Sequence, residues 1–257
     1  MNYICAAQTD IGIVKETNQD SHCVRVAQSE KYGPILFAAV CDGMGGLSKG
    51  ELASATVLKE FMYWFEFTLA DYLERADVDF NYIKNEWTGM IKQLNEKIGS
   101  FGTRNRYNLG TTLVMILGIK DKLYVANVGD SRLYKITDKV YRMTTDHSLV
   151  AQEIATGKLR PEDEETDSRR NVLLQCIGAS QSVAPEIQEY ALEKNAVYIL
   201  CSDGFRHLIS EAELFGLLSP NVVVTEEGLS RTLRDIIELL MSRNERDNIT
   251  AVAVKTV

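Results

Sequence analysis

The feature that most constrains this fold is a series of strand-like runs between Thr111 and Thr144 with very short connections. The runs are TTLVMILGIK, KLYVANVG, SRLYKIT and KVYRMT. The Asp-Lys pair at 121–122 and the Thr-Asp-Lys triplet at 137–139 have the composition of hairpin turns. Because parallel neighbours need a crossover of about a dozen residues or more, we expect adjacent antiparallel strands here.

Helices are predicted on either side of such strands. From Ser48 to about Ala70, and from about Tyr82 to Ser100, apolar residues recur at helical spacing. Further strands are predicted at 3–8, 21–27, 34–42, 197–204 and in the C-terminal ITAVAVKTV, and further helices at 148–156 and about 226–244. This order favours an α+β protein of packed sheet and helix layers over alternating β-α units.

The chain has 257 residues and no linker-like or low-complexity segment, so we predict a single domain spanning residues 1–257. Residues 157–171 differ from the rest, being polar and without periodicity. Five acids fall between Glu162 and Asp167, followed by two arginines. This stretch is predicted to be an exposed loop.

The overall charge restricts the partners that the protein can use. The formal net charge of -8 argues against a basic nucleic-acid footprint and against attraction to an anionic membrane surface. The N-terminus does not resemble a signal peptide, and no apolar run reaches the length of a membrane span. Five cysteines without a C-x-x-C pair indicate reduced, mostly buried thiols. We therefore expect a cytoplasmic protein without nucleic-acid or membrane partners, and a monomer.

Five aspartates share a context at the ends of predicted strands. Four follow a strand-like run and the last precedes one, and each is followed by a small or turn-forming residue; they are Asp20, Asp42, Asp130, Asp203 and Asp247. A single Asp-Gly pair is an ordinary turn signal. Carboxylates that converge at one sheet edge, however, cannot all stay ionised without a cation. Oxygen ligands favour Mg²⁺ or Mn²⁺ over Zn²⁺, and two such ions can hydrolyse a phosphoester.

Six motifs in order carry a family resemblance: TDIGIVKETNQD (9–20), FAAVCDGMGG (37–46), GTTLV (110–114), VANVGDSRLY (125–134), ILCSDGF (199–205) and DNITAVAV (247–254). Together they resemble the metal-dependent protein phosphatase family of type 2C, in its bacterial single-domain form. The resemblance covers nearly the whole chain. It implies a four-layer α-β-β-α sandwich, in which two central antiparallel sheets are flanked by helix pairs.

The same resemblance implies roles for the aspartates. Asp42 would bridge two metal ions, with the carbonyl of Gly43 as a further ligand, and Asp203 and Asp247 would ligate one ion of the pair. Asp20 would act through metal-bound water. Asp130 matches the residue that helps to hold a third, weaker ion. The nearby glycines, Gly43, Gly45 and Gly46, are predicted to allow close backbone approach and positive φ.

The implied activity is hydrolysis of phosphoserine and phosphothreonine in proteins by a metal-activated water, with Asp42, Asp203 and Asp247 as the catalytic set. The substrates would be phosphoproteins made by a serine/threonine kinase. Two alternatives stay open: an inactive phosphatase-like scaffold, and a small-molecule phosphatase of the same fold.

The chain departs from the family pattern at its phosphate-binding position, where Lys15 replaces the usual arginine. Lysine keeps the positive charge but lacks the bidentate fork. Two interpretations of Lys15 remain: substrate-phosphate binding, and a solvated surface lysine. Likewise, Arg132 is compatible with phosphate contact or with pairing to a local acid. The segment 148–171 lies where the family has a variable flap, whose five acids could favour substrates with basic flanks.

Overall fold

A computed structural model describes residues 1–45, 49–164 and 166–257. The described strands are β1 (Tyr3–Asp10), β2 (Ser21–Ser29), β3 (Gly33–Cys41), β4 (Gly43–Gly45), β5 (Leu109–Thr111), β6 (Leu113–Ile119), β7 (Lys122–Val128), β8 (Arg132–Ile136), β9 (Val140–Arg142), β10 (Glu186–Ala191), β11 (Val197–Cys201) and β12 (Ile249–Thr256). The helices are α1 (Gly50–Tyr63), α2 (Ala70–Arg75), α3 (Phe80–Asn105), α4 (Leu149–Ala155), α5 (Asp203–Arg206), α6 (Glu211–Leu218) and α7 (Glu226–Ser242).

Two antiparallel sheets form the centre of the fold. Sheet I has the strand order β1-β12-β11-β8-β9, and sheet II has the order β10-β7-β6-β3-β2. The short strands β4 and β5 pair separately beside them. All strand pairs in both sheets are antiparallel, as the short connections predicted.

The apolar run in β3 is continuous because this strand is covered on both faces. Leu36 and Val40 belong to the apolar cluster between the two sheets, which also contains Leu200 of sheet I. Phe37, on the opposite face, belongs to the cluster beneath the helices and stacks on Phe65 at 5.2 Å. A strand enclosed in this way needs apolar residues at every position rather than at alternate ones.

Helices cover the outer face of each sheet, so the predicted four-layer sandwich is confirmed. On sheet II, the helical segment after β4 packs with α3, and Trp64 meets Trp87 edge-on at 5.7 Å. On sheet I, α6 and α7 bury a stripe that includes Leu214, Leu233 and Ile237. Within the described chain no helix is long and apolar enough to cross a bilayer.

The predicted helix at 48–70 is interrupted. Helix α1 begins at Gly50, Trp64–Leu69 forms π-helical turns, and α2 follows. Ser48, the predicted start, lies outside the described residues. The predicted helix at 82–100 is longer than expected, because Asp79 caps its N-terminus by accepting a hydrogen bond from the backbone N–H of Tyr82.

The expectation of a continuous antiparallel run from 111 to 144 is wrong at one point. Strands β6 and β7 pair in sheet II, and β8 and β9 pair in sheet I. The link between β7 and β8, Gly129–Ser131, therefore crosses from one sheet to the other. It can do so because Gly129 takes a positive φ of 104°. Asp130 thus lies at the crossing and not in a hairpin.

Candidate active site

The antiparallel register gathers five predicted aspartates at one edge of the sandwich. In sheet II, the start of β2 pairs with the end of β3, which brings Asp20 and Asp42 to the same end. In sheet I, β11 and β12 are antiparallel neighbours, which brings Asp203 and Asp247 to the same end. Asp130 lies in the crossing between the sheets. Asp20 precedes a strand, so the prediction that it follows one is wrong, although its position at the edge is unaffected.

The main chain of Asp42 is held by two threonines. Its N–H donates to Thr112 Oγ1 at 2.9 Å, and its carbonyl accepts from the N–H of Thr112 and from Thr111 Oγ1, each at 2.9 Å. These contacts fix the loop between β3 and β4. The side chain of Asp42 is buried close enough to Asp20 and Asp203 for their charges to raise its pKa.

The carboxyl groups raise one another's pKa. Burial is the largest cause for Asp42, and the charges of Asp20 and Asp203 add to it. Burial also raises the pKa of Asp20 to about 7, although hydrogen bonds from Thr250 and Ser202 oppose this. Burial and the charge of Asp203 raise the pKa of Asp130 to about 7, although the positive charge of the neighbouring Arg206 lowers it. Crowded carboxylates of this kind are relieved by a bound cation.

Two buried carboxylate oxygens have unused hydrogen-bonding capacity. Oδ1 of Asp20 and Oδ1 of Asp203 have no hydrogen-bond partner among the described residues. Ser202 Oγ donates to the other oxygen of Asp20 at 2.9 Å. Buried acceptors are normally satisfied, so orphaned oxygens at one site indicate a missing partner. Hard oxygen donors without cysteine or histidine fit Mg²⁺ or Mn²⁺.

The cluster is not a closed metal site. No group of three acidic, histidine or cysteine side chains in the described chain is already in metal-holding geometry. One reason is that Oδ1 of Asp247 already forms an ion pair with Lys15 Nζ, at a distance of 2.7 Å. The fold brings these groups together, and the final rotamers depend on what binds.

Position 43 requires glycine because there is no room for a side chain, and not because the backbone has a positive φ. A Cβ atom at Gly43 would lie 2.4 Å from the carbonyl oxygens of Gln19 and Gly50. Gly43 is not among the described glycines with positive φ, so that part of the prediction is wrong for this residue. Its N–H donates to the Gln19 carbonyl at 3.1 Å, which ties β4 to the residue before Asp20. Gly46 lies outside the described residues.

His147 holds the loop that carries Asp130, a contact that sequence reasoning did not identify. The N–H of His147 donates to the Gly129 carbonyl at 2.9 Å, and the Gly129 N–H donates to His147 Nδ1 at 3.2 Å. Burial lowers the pKa of His147, which favours the neutral ring that can accept this bond. Arg206 NH2 lies 3.5 Å from a carboxylate oxygen of Asp130.

Comparisons with known proteins agree with this geometry. The family model for protein phosphatase 2C matches residues 13–252. The chain belongs to the protein phosphatase 2C family.

Individual relatives extend the match to nearly the whole chain. The serine/threonine phosphatase stp of Listeria welshimeri is 29% identical over 96% of this chain and 94% of its own. The crystal structure of the serine/threonine phosphatase Stp1 of Staphylococcus aureus superposes with a TM-score of 0.84 at 26% identity, covering 100% of this chain and 96% of that one.

A more distant structure shares the fold. The catalytic domain of the serine/threonine protein phosphatase PstP, solved with two manganese ions, has a TM-score of 0.77 at 22% identity and covers 98% of this chain and 97% of that one.

In this 2C-family chain, the flap is tied to the body by buried ion pairs. Arg132 donates to both carboxylate oxygens of Asp146 and, at 2.8 Å, to Glu164 of the flap. Arg142 reaches the same two acids, at 2.7 Å and 3.0 Å. Of the two interpretations of Arg132, the structure therefore shows pairing with local acids. The flap is held at Glu164 and is not a free loop.

A recess of about 260 Å³ lies next to the aspartates of this 2C-family site. Its lining brings together the phosphate candidate, the flap and two of the proposed metal ligands; it includes Lys15, Glu164, Arg170, Asp203, Arg246 and Asp247. Burial alone would lower the pKa of Lys15, but the hydrogen bond to Asp247 and the nearby Asp42 charge raise it, so this lysine is a cation at the mouth of the site.

Proposed function

We propose that this serine/threonine protein phosphatase hydrolyses phosphoserine and phosphothreonine at a pair of divalent cations held by the aspartate cluster. The observation that carries the proposal is the pair of orphaned buried oxygens on Asp20 and Asp203 within a group of mutually repelling carboxyls. An inactive scaffold would have no reason to retain such a destabilising cluster. A small-molecule phosphatase has no support among the relatives compared.

We assign the ligand roles as the family resemblance implies them. Asp42 would serve both cations, since its buried carboxyl lies within the influence of the charges of both Asp20 and Asp203. Asp203 and Asp247 would complete the coordination of one ion, and the carbonyl oxygen of Gly43 would be a further ligand. Asp20, which Ser202 orients, would act through water. Asp130 would help to hold a third, weaker ion.

Metal dependence follows from membership of the family, and we propose Mn²⁺ or Mg²⁺ as the ion. Bound divalent cations supply a nucleophilic water at neutral pH and a Lewis acid for the phosphoryl oxygens. The solved relative with two manganese ions supports manganese as the first ion to try.

The residues of the chain have three further tasks in this proposal. Lys15 binds the substrate phosphate from the exposed loop beside Asp247. The His147 and Arg206 contacts keep Asp130 in place. Met44, in β4, cannot give a proton, so the leaving oxygen takes its proton from solvent or another group.

The substrates are phosphoproteins, and we propose that a serine/threonine kinase produces them. We further propose that the protein acts in the cytoplasm as a monomer. The acidic overall charge and the reduced state of all five cysteines, four of them buried, support these two proposals.

The test compares wild type with Asp203→Asn on a phosphothreonine peptide and on p-nitrophenyl phosphate, with and without Mn²⁺. We expect wild-type activity to require the metal, and kcat/KM of the variant to fall by roughly a hundredfold or more, as for the loss of a group that acts in the transition state. Thermal melting in EDTA checks that the variant is folded. Equal activity of the two proteins would refute the proposal.

A further inference from the structure

The acids of the flap are not available to attract basic substrates. Asp163 pairs with Arg160 at 2.9 Å and Asp167 pairs with Arg169 at 2.8 Å. Glu162 lies 3.4 Å from Arg160. Glu164 is held by Arg132 and Arg142. Each described acid of the flap thus has an arginine partner, although some arginines serve two acids, and the preference for basic flanks that the composition suggested loses its physical basis.

The acids that line the recess are also paired. Asp146 is held by Arg132 and Arg142, and Asp247 by Lys15. Glu245 forms a hydrogen bond with His207 Nδ1 at 2.9 Å and accepts from the backbone N–H groups of Arg246 and Asp247. Asp203 is the remaining lining acid, and it belongs to the proposed metal cluster. When cations are bound there, every lining acid has an ionic or hydrogen-bonding partner.

Two arginines of the recess stand apart from this pairing. Arg170, at the end of the flap, and Arg246, just before Asp247, both line the recess, and neither guanidinium has an ion pair within the described part of the chain. Arg170 is half-buried and Arg246 is exposed. Guanidinium groups bind carboxylates and phosphates through paired N–H donors, so two of them beside the proposed reaction centre form a receptor for an anion.

We propose that Arg170 and Arg246 bind a second anionic group of the substrate, so that this phosphatase prefers phosphopeptides with an acidic side chain or a second phosphate near the scissile one. The inference rests on the proposed function, since it places the first phosphate at the aspartate cluster. A peptide residue spans about 3.3–3.6 Å, so the second anion belongs within a few residues of the phosphothreonine.

The test uses phosphothreonine peptides that differ only in the two residues on each side: glutamate, glutamine or lysine, and a doubly phosphorylated form. We expect kcat/KM for the glutamate peptide to exceed that for the lysine peptide by roughly five- to twentyfold at low salt, at about two- to fivefold for each exposed charge pair. Salt should reduce the ratio. If only the doubly phosphorylated peptide is preferred, the second anion is a phosphate and not a carboxylate.

Charge reversal shows which residues carry the preference. Arg170→Glu and Arg246→Glu should each move the glutamate-to-lysine ratio toward or below one. Arg234→Glu, an equal change of net charge on the exposed face of α7, should leave it as in wild type. Because the ratio is taken within one variant, a general loss of activity cancels. A ratio near one in wild type, or a ratio that the two reversals do not change, would overturn the inference.

Peptide binding to the metal-loaded protein, followed by fluorescence anisotropy, gives the same ratio without turnover. Binding that favours the acidic peptide without any hydrolysis would therefore count against the proposed function and not against this inference. If all peptides bind equally well and are hydrolysed at equal rates, the result would count against this inference and not against the proposed function.

Discussion

At the residue scale, one lysine serves two partners. Lys15 stands where the family usually has arginine, and it forms an ion pair with Asp247, a proposed metal ligand. The same Oδ1 atom cannot hold both the ammonium group and a metal ion. If Asp247 ligates a metal ion as proposed, Lys15 competes with that ion for the carboxylate, and metal binding would leave the lysine available for the substrate phosphate.

Lys15→Met should accordingly have opposite effects on two ligands. The dissociation constant for Mn²⁺, measured by calorimetry, should fall by about two- to fivefold, because removing a half-exposed ion pair frees the carboxylate. KM for a phosphopeptide should rise, because a phosphate contact is lost. Lys31→Met, which removes the exposed pair with Asp77 far from this edge, is the matched control. Unchanged metal affinity in Lys15→Met would show that the ion pair does not compete.

The residues that support the site were harder to predict from the sequence than the clustered aspartates. The aspartates are recognisable because each lies beside a strand-like run in the sequence. Nothing in the sequence near Gly129 indicates that a histidine eighteen residues later holds its backbone at both ends. The same applies to Arg206 and Asp130, which are brought together by the packing of α5 against the sheet crossing. Contacts of this kind depend on tertiary structure and leave no local pattern.

At the scale of secondary-structure elements, the described ion pairs between the flap and the body of the protein converge on one residue of the flap. Glu164 connects it to Arg132 and Arg142, and both arginines also hold Asp146. The remaining ion pairs of the flap are local and exposed. Glu164 thus carries the described ion pairs that join the flap to the body, in addition to the packing of buried Val150.

Glu164→Gln should release the flap without unfolding the domain. Hydrogen bonds to charged groups contribute about 1.5–3 kcal/mol, so we expect tryptic cleavage within the flap to be roughly tenfold faster or more. Glu162→Gln provides the control, since its contact with Arg160 is exposed and long. Equal cleavage rates for the two variants would mean that Glu164 does not anchor the segment.

Elements with a strong apolar pattern were predicted well, and elements that depend on tertiary contacts were not. The runs in β3, β11 and β12 are buried on both faces, so their composition alone identifies them. Strand β10 lies at the edge of sheet II with a mixed polar sequence, and α6 has eight residues, so both escaped prediction. The crossing from β7 to β8 was not distinguished from a link between neighbouring antiparallel strands, because a short glycine-containing link has the same composition in both cases.

At the scale of the whole molecule, the site makes the stability of the metal-free protein depend on pH. Burial raises the pKa of Asp20 and Asp130 to about 7, whereas an unfolded aspartate titrates near 4. Between these values the folded state holds protons that the unfolded state has lost, so the free energy of unfolding falls as the pH rises. The half-buried His22 and His147 act in the opposite direction below about pH 6.5, because partial burial lowers their pKa values.

A comparison of wild type with Asp130→Asn in EDTA isolates the contribution of the Asp130 carboxylate to the pH dependence of stability. Relative to wild type, the variant should gain stability between pH 5 and pH 7.5, and its melting temperature should rise by about 2–4 °C for each kcal/mol gained. Added Mn²⁺ should stabilise wild type more at the higher pH, because metal binds the ionised carboxylates. A difference in melting temperature that does not change with pH would show that Asp130 is ionised throughout.

The division of the site between the two sheets has a consequence for damaged copies of the protein. Sheet II supplies Asp20 and Asp42, and sheet I supplies Asp203 and Asp247. A copy in which the sheets have come apart, or in which one has been lost by proteolysis, retains half of the set and cannot remove phosphate from anything. An enzyme that erases signals is dangerous when its fragments are active without control. With the proposed metal ligands divided in this way, the failure of folding and the loss of activity would be the same event, so a fragment would not dephosphorylate proteins outside the control of the intact enzyme.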